Sequence, residues 1–227
     1  MSTLYIANKN YSSWSLRPWL LMRELGIAFD EKLMPFSEGS NQASFSAFAP
    51  NAKVPCLHDD GEVIWDSLAI IEYLAERHAG VWPADSKART WARCASAEMH
   101  SGFSALRGAC SMNCGIRVQL HTISPALAGD ITRIDALWNE GLARFGGPFL
   151  AGAQFGAVDA MFAPIAIRAQ TYGLALSDAA AAYAQRLREL PAMRQWYEAA
   201  LREIWREPGH EAEAKAAGTW LQDLRAG

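Results

Sequence analysis

The chain has 227 residues, and because domains of about 100–200 residues are typical, one large domain or two small ones are expected. Hydrophobic residues make up 51% of it and charged residues 20%, which is typical of a soluble globular protein and not of a disordered chain. Its 21 Lys and Arg against 24 Asp and Glu leave a formal net charge of −3. No basic surface is therefore expected to hold a phosphate backbone, which excludes nucleic acid as the main partner.

The N-terminus, the apolar runs and the cysteines indicate a cellular compartment. Residues 1–10 lack the basic start and the apolar run of a signal peptide. Charged residues interrupt every apolar stretch before it reaches the ~20 residues that span a bilayer. The four cysteines form no CxxC pair, which argues against a disulfide scaffold and against a zinc site. We expect a reduced, cytoplasmic protein without membrane association or bound metal.

The first third of the chain has the pattern of a small α/β domain. A short β-prone apolar run predicts the first strand at 4–7, and a second strand is predicted at 29–33. Between them, apolar residues at helical spacing predict a helix over 12–25 that ends at Gly26. Since proline has no N–H to donate, we expect Pro18 within the first turn of this helix.

Two further strands and a helix follow. The segments 54–57 and 63–65 are β-prone and flank the turn residues 59–61, which predicts a hairpin. A helix is predicted over 67–78. With a short helix before the hairpin, the expected order of elements is β-α-β-(α)-β-β-α.

The rest of the chain has almost no strand signals. Alanine-rich amphipathic segments, separated by glycine and proline positions, predict helices at about 86–113, 124–145, 157–171, 179–188 and 191–203. The last twenty residues are expected to form a tail packed by Trp220 and Leu221. We therefore predict an α/β domain over 1–80, a linker over 81–87 and an all-helical domain over 88–227.

A serine-rich segment lies where the first strand meets the first helix. Its sequence over 11–18 is Tyr-Ser-Ser-Trp-Ser-Leu-Arg-Pro. A structural interpretation is that serine caps the helix by accepting a hydrogen bond from an exposed N–H of the first turn. A functional interpretation is that a hydroxyl in this place donates to an anion such as a thiolate, which the helix dipole also favours.

Two other motifs flank the predicted hairpin. Val54-Pro55 precedes its first strand, where an ordinary trans proline is the simpler interpretation and a cis bond would present the Val54 backbone to an extended peptide. Asp66 and Ser67 follow its second strand and are expected to cap the next helix. The same pair can present a carboxylate and a hydroxyl to the ammonium and carboxylate groups of a ligand.

The segment 155–160 resembles a capping box. Gly156 is the expected N-cap, Asp159 the N3 residue, and Phe155 the preceding residue that packs on Ala160. Because these residues explain the start of a helix, we assign them a structural role and no catalysis.

In this order and at these spacings, the motifs resemble the glutathione S-transferase superfamily over essentially the whole chain. The run Ser-Ser-x-Ser-x-Arg, the Val-Pro step and the stretch Ser-Leu-Ala-Ile-Ile-Glu-Tyr-Leu over 67–74 are most similar to its serine-type zeta and theta-like branches. The resemblance implies a thioredoxin-like N-terminal domain, an all-helical C-terminal domain and a homodimer. It also implies a detoxifying glutathione transferase, which transfers alkyl or aryl groups to glutathione as co-substrate.

The resemblance further assigns the group that activates glutathione. Alignment back from Gly26 places Ser12 at the hydroxyl that donates to the glutathione sulfur and so stabilises the nucleophilic thiolate. Ser13 is the second candidate, and Tyr11 is a weaker one.

The remaining glutathione contacts follow from the same resemblance. Val54 matches the residue before the family's cis-proline, here Pro55, whose backbone pairs with the cysteinyl part of glutathione. Asp66 and Ser67 match the pair that holds the γ-glutamyl end. The candidates for the glycyl carboxylate are Lys53 and Gln42.

The second substrate is expected beside this site. The resemblance implies a partly apolar electrophile pocket walled by Tyr11, Trp14, Phe36 and the helix around Phe103. His100 and Arg107 on that helix are candidates for binding an acidic electrophile, although a solvated helix face is the simpler interpretation for each. Zeta enzymes have a cysteine where this chain has Trp14, which argues against maleylacetoacetate isomerase activity.

Other functions remain open at this point. A glutathione-dependent isomerase or peroxidase would use the same residues, and a non-catalytic member of the fold would bind only a ligand or a partner. The cysteines add no redox chemistry: Cys56 is expected to be an inert core thiol, and Cys110 and Cys114 are expected to pack on one helix face.

Overall fold

The computed structural model describes residues 2–37 and 39–225. Its first part contains β1 (Thr3–Ile6), α1 (Ser13–Glu24), β2 (Asp30–Leu33), α2 (Gln42–Ser46), β3 (Cys56–Asp59), β4 (Glu62–Trp65) and α3 (Ser67–Ala75). This is the predicted order of elements, with the short helix in its expected place before the hairpin.

The second part of the chain is mainly helical. Its elements are α4 (Ser86–Ser101), α5 (Ser104–Ala109), β5 (Ile116–Leu120), α6 (Pro125–Phe145), α7 (Ala157–Tyr172), α8 (Asp178–Glu189), α9 (Pro191–Arg202), α10 (Pro208–Ala217) and β6 (Gly218–Asp223). Helices α4, α6, α7, α8 and α9 begin within one residue of the predicted positions. The prediction of a thioredoxin-like α/β part followed by a helical part is confirmed.

The N-terminal sheet has the strand order β2-β1-β3-β4. Strand β1 pairs with β2 in parallel and with β3 in antiparallel orientation, and β3 and β4 form the predicted hairpin. Its turn residues Asp60 and Gly61 have φ angles of 48° and 82°. A two-residue turn with two positive φ angles matches the right-handed twist of the paired strands, which explains the Asp-Gly sequence.

Helix α1 begins earlier than the position of Pro18 suggests. Ser12 is its N-cap, so the helix starts at Ser13 and Pro18 lies inside it. The expectation that Pro18 occupies the first turn was therefore wrong, and one hydrogen bond of the helix, to the Trp14 carbonyl, is missing. At the other end, Gly26 has a φ of 67°, as expected for the residue that ends the helix.

The predicted helix over 86–113 is broken. Helix α4 ends at Ser101, and Phe103, with a φ of 58°, separates it from α5. A left-handed residue interrupts helical hydrogen bonding, which periodicity alone does not reveal. Since α5 ends at Ala109, Cys110 and Cys114 do not share a helix face, although both are fully buried.

Helix α4 also begins within the predicted linker. The Asp85 carboxylate caps it by accepting a hydrogen bond from the Ala88 N–H at 2.8 Å. Ser86 and Lys87 are therefore helical. The division into domains over 1–80 and 88–227 stays a prediction.

The helical part contains a two-stranded sheet that the sequence did not predict. Strands β5 and β6 pair in antiparallel orientation although about a hundred residues separate them. Adjacent residues of a strand point to opposite sides. Consequently Trp220 is partly buried while Leu221 is 65% exposed, and the expectation that both pack was wrong for Leu221.

Helix α7 forms the centre of the molecule and packs against α1, α4 and α8. Its start is held by Asp159, whose carboxylate accepts from Gly156 N–H and Leu150 N–H at 3.0 Å each and from the Tyr183 hydroxyl at 2.8 Å. The predicted capping contact from Asp159 is thus present, and Gly156 has no side chain to return it. Among residues 2–37 and 39–225, no helix is long and apolar enough to cross a membrane.

Candidate active site

A cavity of about 410 Å³ lies between the N-terminus of α1 and the helical part of the chain. The predicted site residues on its wall are Tyr11, Ser12, Ser13, Trp14, Phe36, Lys53, Val54 and Arg107. The predicted site residues that do not line it are Gln42, Pro55, Asp66, Ser67 and Phe103. Phe103 is instead buried in the hydrophobic core. The neighbouring Asn41 lines the cavity where Gln42 does not.

Ser12 forms a hydroxyl pair with Ser15 at the start of α1. The Ser12 Oγ donates to the Ser15 Oγ at 2.7 Å and caps the helix by accepting from the Ser15 N–H at 3.4 Å. The Ser15 Oγ in turn accepts from the Ala7 N–H at 3.2 Å. A hydroxyl has one proton and two lone pairs and rotates freely. The direction of the Ser12–Ser15 bond can therefore reverse, which frees the Ser12 proton for a ligand in the cavity.

Ser13 and Tyr11 already have other partners. The Ser13 Oγ accepts from Arg168 Nη2 at 3.4 Å. The Tyr11 hydroxyl donates to the Glu211 carboxylate at 2.5 Å and accepts from Arg225 Nη1 at 3.0 Å. Burial and the bond to Glu211 raise the pKa of Tyr11 to about 12. Tyr11 therefore ties α1 to the C-terminal segment, and its proton is held by a carboxylate.

The Val54–Pro55 peptide bond is cis, as the resemblance implied. Val54 lines the cavity, and its backbone N–H has no acceptor among the described residues. The Lys53 side chain is exposed at the edge of the cavity. An extended peptide lying along this segment would meet a free backbone donor and a nearby cation.

Asp66 and Ser67 lie at the start of α3 and do not line the cavity. The Asp66 Oδ1 caps α3 by accepting from the Leu68 N–H at 2.8 Å. Both Asp66 oxygens lie 2.9 Å from the His100 Nε2. The Ser67 Oγ is buried and has no hydrogen-bond partner among the described residues. His100 thus contacts Asp66 across the two parts of the chain and is not part of a solvated helix face.

Two family models match the chain on either side of the loop between its two parts. The model described as "Glutathione S-transferase, N-terminal domain" matches residues 11–77. The model described as "Glutathione S-transferase, C-terminal domain" matches residues 122–199, and together the two cover more than half of the chain. The chain belongs to the glutathione S-transferase superfamily.

Among curated relatives of this chain, a probable maleylacetoacetate isomerase from Caenorhabditis elegans is 34% identical over 105 residues. That alignment covers 45% of this chain and 48% of the isomerase, so the chain spans about half the length of this relative. A glutathione S-transferase-like protein from Beauveria bassiana is 26% identical over 168 residues, which are 71% of this chain and 76% of that protein.

Solved structures support the fold. A glutathione transferase homologue from Burkholderia gl BGR1, with bound glutathione, has a TM-score of 0.66 and 21% identity over 88% of this chain and 97% of its own. A theta class glutathione S-transferase from Xanthomonas axonopodis pv. citri, with glutathione bound, has a TM-score of 0.63 and 24% identity, covering 86% and 96% of the two chains.

Several residues on the cavity wall were missed by the sequence analysis. They come from α2 and the loops on either side of it, from the segment after α5, and from α7 and α10, and they are Asn41, Phe45, Ala52, Ser111, Met112, Arg168, His210 and Glu213. Arg168 alone had a local signal, because it is a single charged residue in the otherwise apolar run 161–169. His210 stacks on Tyr11 and Phe36, with ring centroids 5.1 and 5.3 Å apart, so α10 closes one side of the cavity.

Trp14 lies beside two guanidinium groups. The Arg17 and Arg107 guanidinium carbons are 4.2 and 4.7 Å from the centroid of its ring, within the range of a cation–π contact. Arg17 is fully buried, and neither of its Nη atoms has a partner among the described residues. Burial, together with the charges of Arg107 and Arg168, holds the pKa of Arg17 well below its usual value.

The cysteines lie away from the cavity wall. Cys56 is fully buried, as expected for a core thiol, and burial raises its pKa to about 11. Burial likewise raises the pKa of Cys110 to about 11. Both thiols are therefore protonated at neutral pH. Within residues 2–37 and 39–225, no group of three or more His, Cys, Asp or Glu side chains is placed to hold a metal ion.

Proposed function

We propose that this protein is a glutathione transferase in which the Ser12 hydroxyl stabilises the glutathione thiolate for attack on a small, partly apolar electrophile. The observation that carries the proposal is the Ser12–Ser15 hydroxyl pair at the N-terminus of α1, on the wall of a cavity large enough for a small substrate. The thiolate sulfur forms a bond to the electrophilic carbon, and the leaving group departs with its electron pair. The thiol proton passes to solvent.

The hydroxyl pair supplies the hydrogen bond without losing a proton. When Ser15 turns its proton toward the Ser12 Oγ, Ser12 can donate to the sulfur, and the Ala7 N–H keeps the Ser15 oxygen in place. A donated hydrogen bond favours the charged form of the sulfur, and the positive end of the α1 dipole acts in the same direction. Both effects lower the pKa of the bound thiol and raise the fraction of thiolate at neutral pH.

Glutathione binding is proposed on contacts along the edge of the N-terminal part. The Val54 backbone is suited to the cysteinyl segment, and Asp66 to the γ-glutamyl ammonium. The buried, unpartnered Ser67 hydroxyl is suited to the adjacent carboxylate. The relatives from Burkholderia and Xanthomonas hold glutathione in their structures, which supports this assignment. For the glycyl carboxylate Lys53 remains a candidate, and the wall position of Asn41 makes it a better one than Gln42.

Replacing Asp66 with asparagine is expected to weaken glutathione binding at least about tenfold, because a hydrogen bond to a charged group is lost. Asparagine keeps an oxygen for the α3 cap and tolerates the Asp66 φ of 76°. The measurement is calorimetric titration of reduced glutathione. Asp60→Asn is the matched control, since Asp60 also has a positive φ but lies in the β3–β4 turn. Equal affinity in all three proteins would remove Asp66 from the site, and no binding even to wild type would refute the proposed function.

The isomerase relative favours a second candidate function. A glutathione-dependent isomerase would use the same thiolate, adding it to a double bond and expelling it after rotation, so no atoms are gained or lost. Trp14 replaces the cysteine that zeta enzymes have in this place, which favours conjugation over isomerisation. Peroxide reduction and a non-catalytic, ligand-binding role are the remaining alternatives. A panel of electrophiles, cis-alkenes and hydroperoxides distinguishes conjugation, isomerisation and peroxide reduction, and no turnover of any of them would indicate a non-catalytic role.

A homodimer is expected from the family resemblance, with the N-terminal part of one subunit against the helical part of the other. Strand β4 is the edge of the sheet and exposes Val63 and Trp65, at 37% and 45%. Sedimentation equilibrium is expected to give about twice the chain mass of 24.9 kDa. A single species near the chain mass would contradict the dimer. The cytoplasmic location stays a prediction.

A further inference from the structure

Arg168 is a buried cation on the wall of the cavity. It projects from α7 and is 4% exposed. Its Nε donates to the Cys110 carbonyl at 2.7 Å, and its Nη2 donates to the Ser13 Oγ at 3.4 Å. Its Nη1 is buried and has no partner among the described residues. The two N–H groups of Nη1 are therefore unpaired in a side chain that lines the cavity and contacts Ser13, the residue next to Ser12.

The charge of Arg168 is not balanced by the protein. In the described part of the chain, neither Arg168 nor Arg107 forms an ion pair with a carboxylate. Arg107 donates instead to the carbonyls of Met99, of Gly102 at 2.9 Å and of His100 at 3.3 Å. Burial and the nearby Arg107 lower the pKa of Arg168 to about 10, so the group is still charged at neutral pH. A buried charge without a counter-ion is costly, and a bound anion would relieve that cost.

The rest of the wall suits a molecule with one acidic group and an apolar body. Apolar surface comes from Trp14, Phe36 and Met112. The single carboxylate on the wall belongs to Glu213, which is exposed on α10, whereas Arg168 is buried. An anionic group of a ligand would therefore be attracted toward Arg168, and its apolar body would contact the apolar side chains.

We propose that the second-substrate pocket takes an electrophile that carries a carboxylate, which Arg168 binds together with Arg107. This inference rests on the proposed transferase function and specifies the substrate class of the same site. The carboxylate is held beside Ser13 while the thiolate at Ser12 attacks the apolar part of the molecule. Because Arg168 binds a non-reacting group, it acts on the affinity for the electrophile and on its orientation.

The rival role for Arg168 is stabilisation of the thiolate itself, since Ser13 is adjacent to Ser12. The two roles differ in what they predict. A thiolate stabiliser would accelerate acidic and neutral electrophiles equally and would lower the pKa of the bound glutathione thiol. A carboxylate-binding residue accelerates only acidic electrophiles and leaves that pKa unchanged.

The test compares 4-chloro-3,5-dinitrobenzoate with its methyl ester. In both, the glutathione sulfur bonds to C4, chloride leaves with the bonding electrons, and the thiol proton goes to buffer. For each compound, kcat/KM is divided by the uncatalysed rate constant to remove the difference in intrinsic reactivity. This ratio is expected to be higher for the acid than for the ester in the wild type. Arg168→Gln is expected to lower the ratio for the acid at least about tenfold, since a charge-assisted hydrogen bond is lost, and to leave the ratio for the ester unchanged.

Three other variants sharpen the result. Arg168→Lys keeps the charge and is expected to retain part of the preference for the acid. Arg188→Gln is the matched control, because Arg188 is a half-buried arginine on α8 that donates to the Ala166 carbonyl at 3.1 Å, and it is expected to leave the preference unchanged. If Arg168→Gln does not fold, Arg107→Gln is used in its place, because Arg107 is only partly buried. It is expected to lower the rate ratio for the acid and to leave that for the ester unchanged.

The proposal is overturned if wild type favours the ester, or if the variants slow both compounds equally. An equal loss with a raised pKa of the bound thiol would assign Arg168 to the thiolate. A calorimetric titration of 3,5-dinitrobenzoate, which has no leaving group, separates this result from failure of the transferase function. If 3,5-dinitrobenzoate binds through Arg168 but glutathione does not bind, the anion pocket is supported and the transferase function is refuted. If glutathione binds but the enzyme does not prefer the acid over its ester, the transferase function is retained and the anion pocket is refuted.

Discussion

Replacing Ser12 with alanine is expected to lower the turnover number for glutathione conjugation at least about tenfold, because the thiolate loses a donated hydrogen bond. The affinity for glutathione is expected to change little, since the proposed peptide contacts at Val54 and Asp66 remain. The loss is also expected to depend on pH. Without the hydroxyl the pKa of the bound thiol rises, so the ratio of wild-type to variant rates is largest at low pH and falls as pH increases. Steady-state kinetics across pH measures both effects.

The N-cap role of Ser12 requires a control for stability. Because alanine removes the cap of α1, Ser12→Ala is also expected to destabilise the protein by about 0.5–2 kcal/mol. Ser12→Gly removes the hydroxyl, but a glycine cap costs only a few tenths of a kcal/mol. The two variants should lose turnover equally and differ in the free energy of unfolding. Unchanged turnover in both would exclude Ser12 as the donor and direct attention to Ser13.

Replacing Asp159 with alanine is expected to lower the free energy of unfolding by roughly 3–5 kcal/mol, since three buried donors lose their acceptor and each costs about 1–3 kcal/mol. These donors are Leu150 N–H, Gly156 N–H and the Tyr183 hydroxyl. They join the loop before α7, the start of α7, and α8, so the loss weakens the centre of the helical part. Urea unfolding at neutral pH measures the change.

Asp178 provides the matched control for the Asp159→Ala variant. Asp178 is also an acidic residue in the first turn of a helix, but it is exposed, so Asp178→Ala is expected to change stability far less than Asp159→Ala.

The effect of Asp159→Ala is also expected to depend on pH. Burial raises the pKa of Asp159 to about 6 although its hydrogen bonds lower it. The part of its contribution that depends on protonation is therefore fully present below its unfolded pKa near 4 and is lost as pH rises through about 6, whereas the hydrogen-bond part remains at neutral pH. The destabilisation by Asp159→Ala should accordingly be larger at pH 4 than at pH 7, and the opposite trend would contradict burial as the dominant cause.

Local sequence patterns determined most of the secondary structure. Helices α6 to α9 and the β3–β4 hairpin depend on apolar periodicity, on glycine and proline positions and on turn residues, all of which lie within a few residues of one another. The cap at Ser12 and the Asp159 contact are equally local. The resemblance carried by the serine run, Val54-Pro55 and Asp66-Ser67 indicated the superfamily, which the family models confirm.

Contacts between distant segments were decided by the tertiary structure alone. The β5–β6 pair joins residues about a hundred positions apart, and neither strand has a partner nearby in the sequence. His100 reaches Asp66, and Arg168 reaches Ser13, only because α4 and α7 pack against the N-terminal part. In the same way, α10 encloses the cavity through the stack of His210 on Tyr11.

The residues on the cavity wall therefore differ in how well the sequence predicts them. The side that we propose to face glutathione is built from short motifs at the ends of strands and helices, where one residue type and its immediate neighbours specify the local geometry. The side that we propose to face the second substrate includes single residues on α5, α7 and α10, each in an ordinary helical context. Apolar periodicity places such residues on a helix but not opposite a partner, because their neighbours depend on how the whole chain packs. Arg168 became interpretable as a ligand-binding residue only when its burial and its unpaired Nη1 were visible in the folded chain.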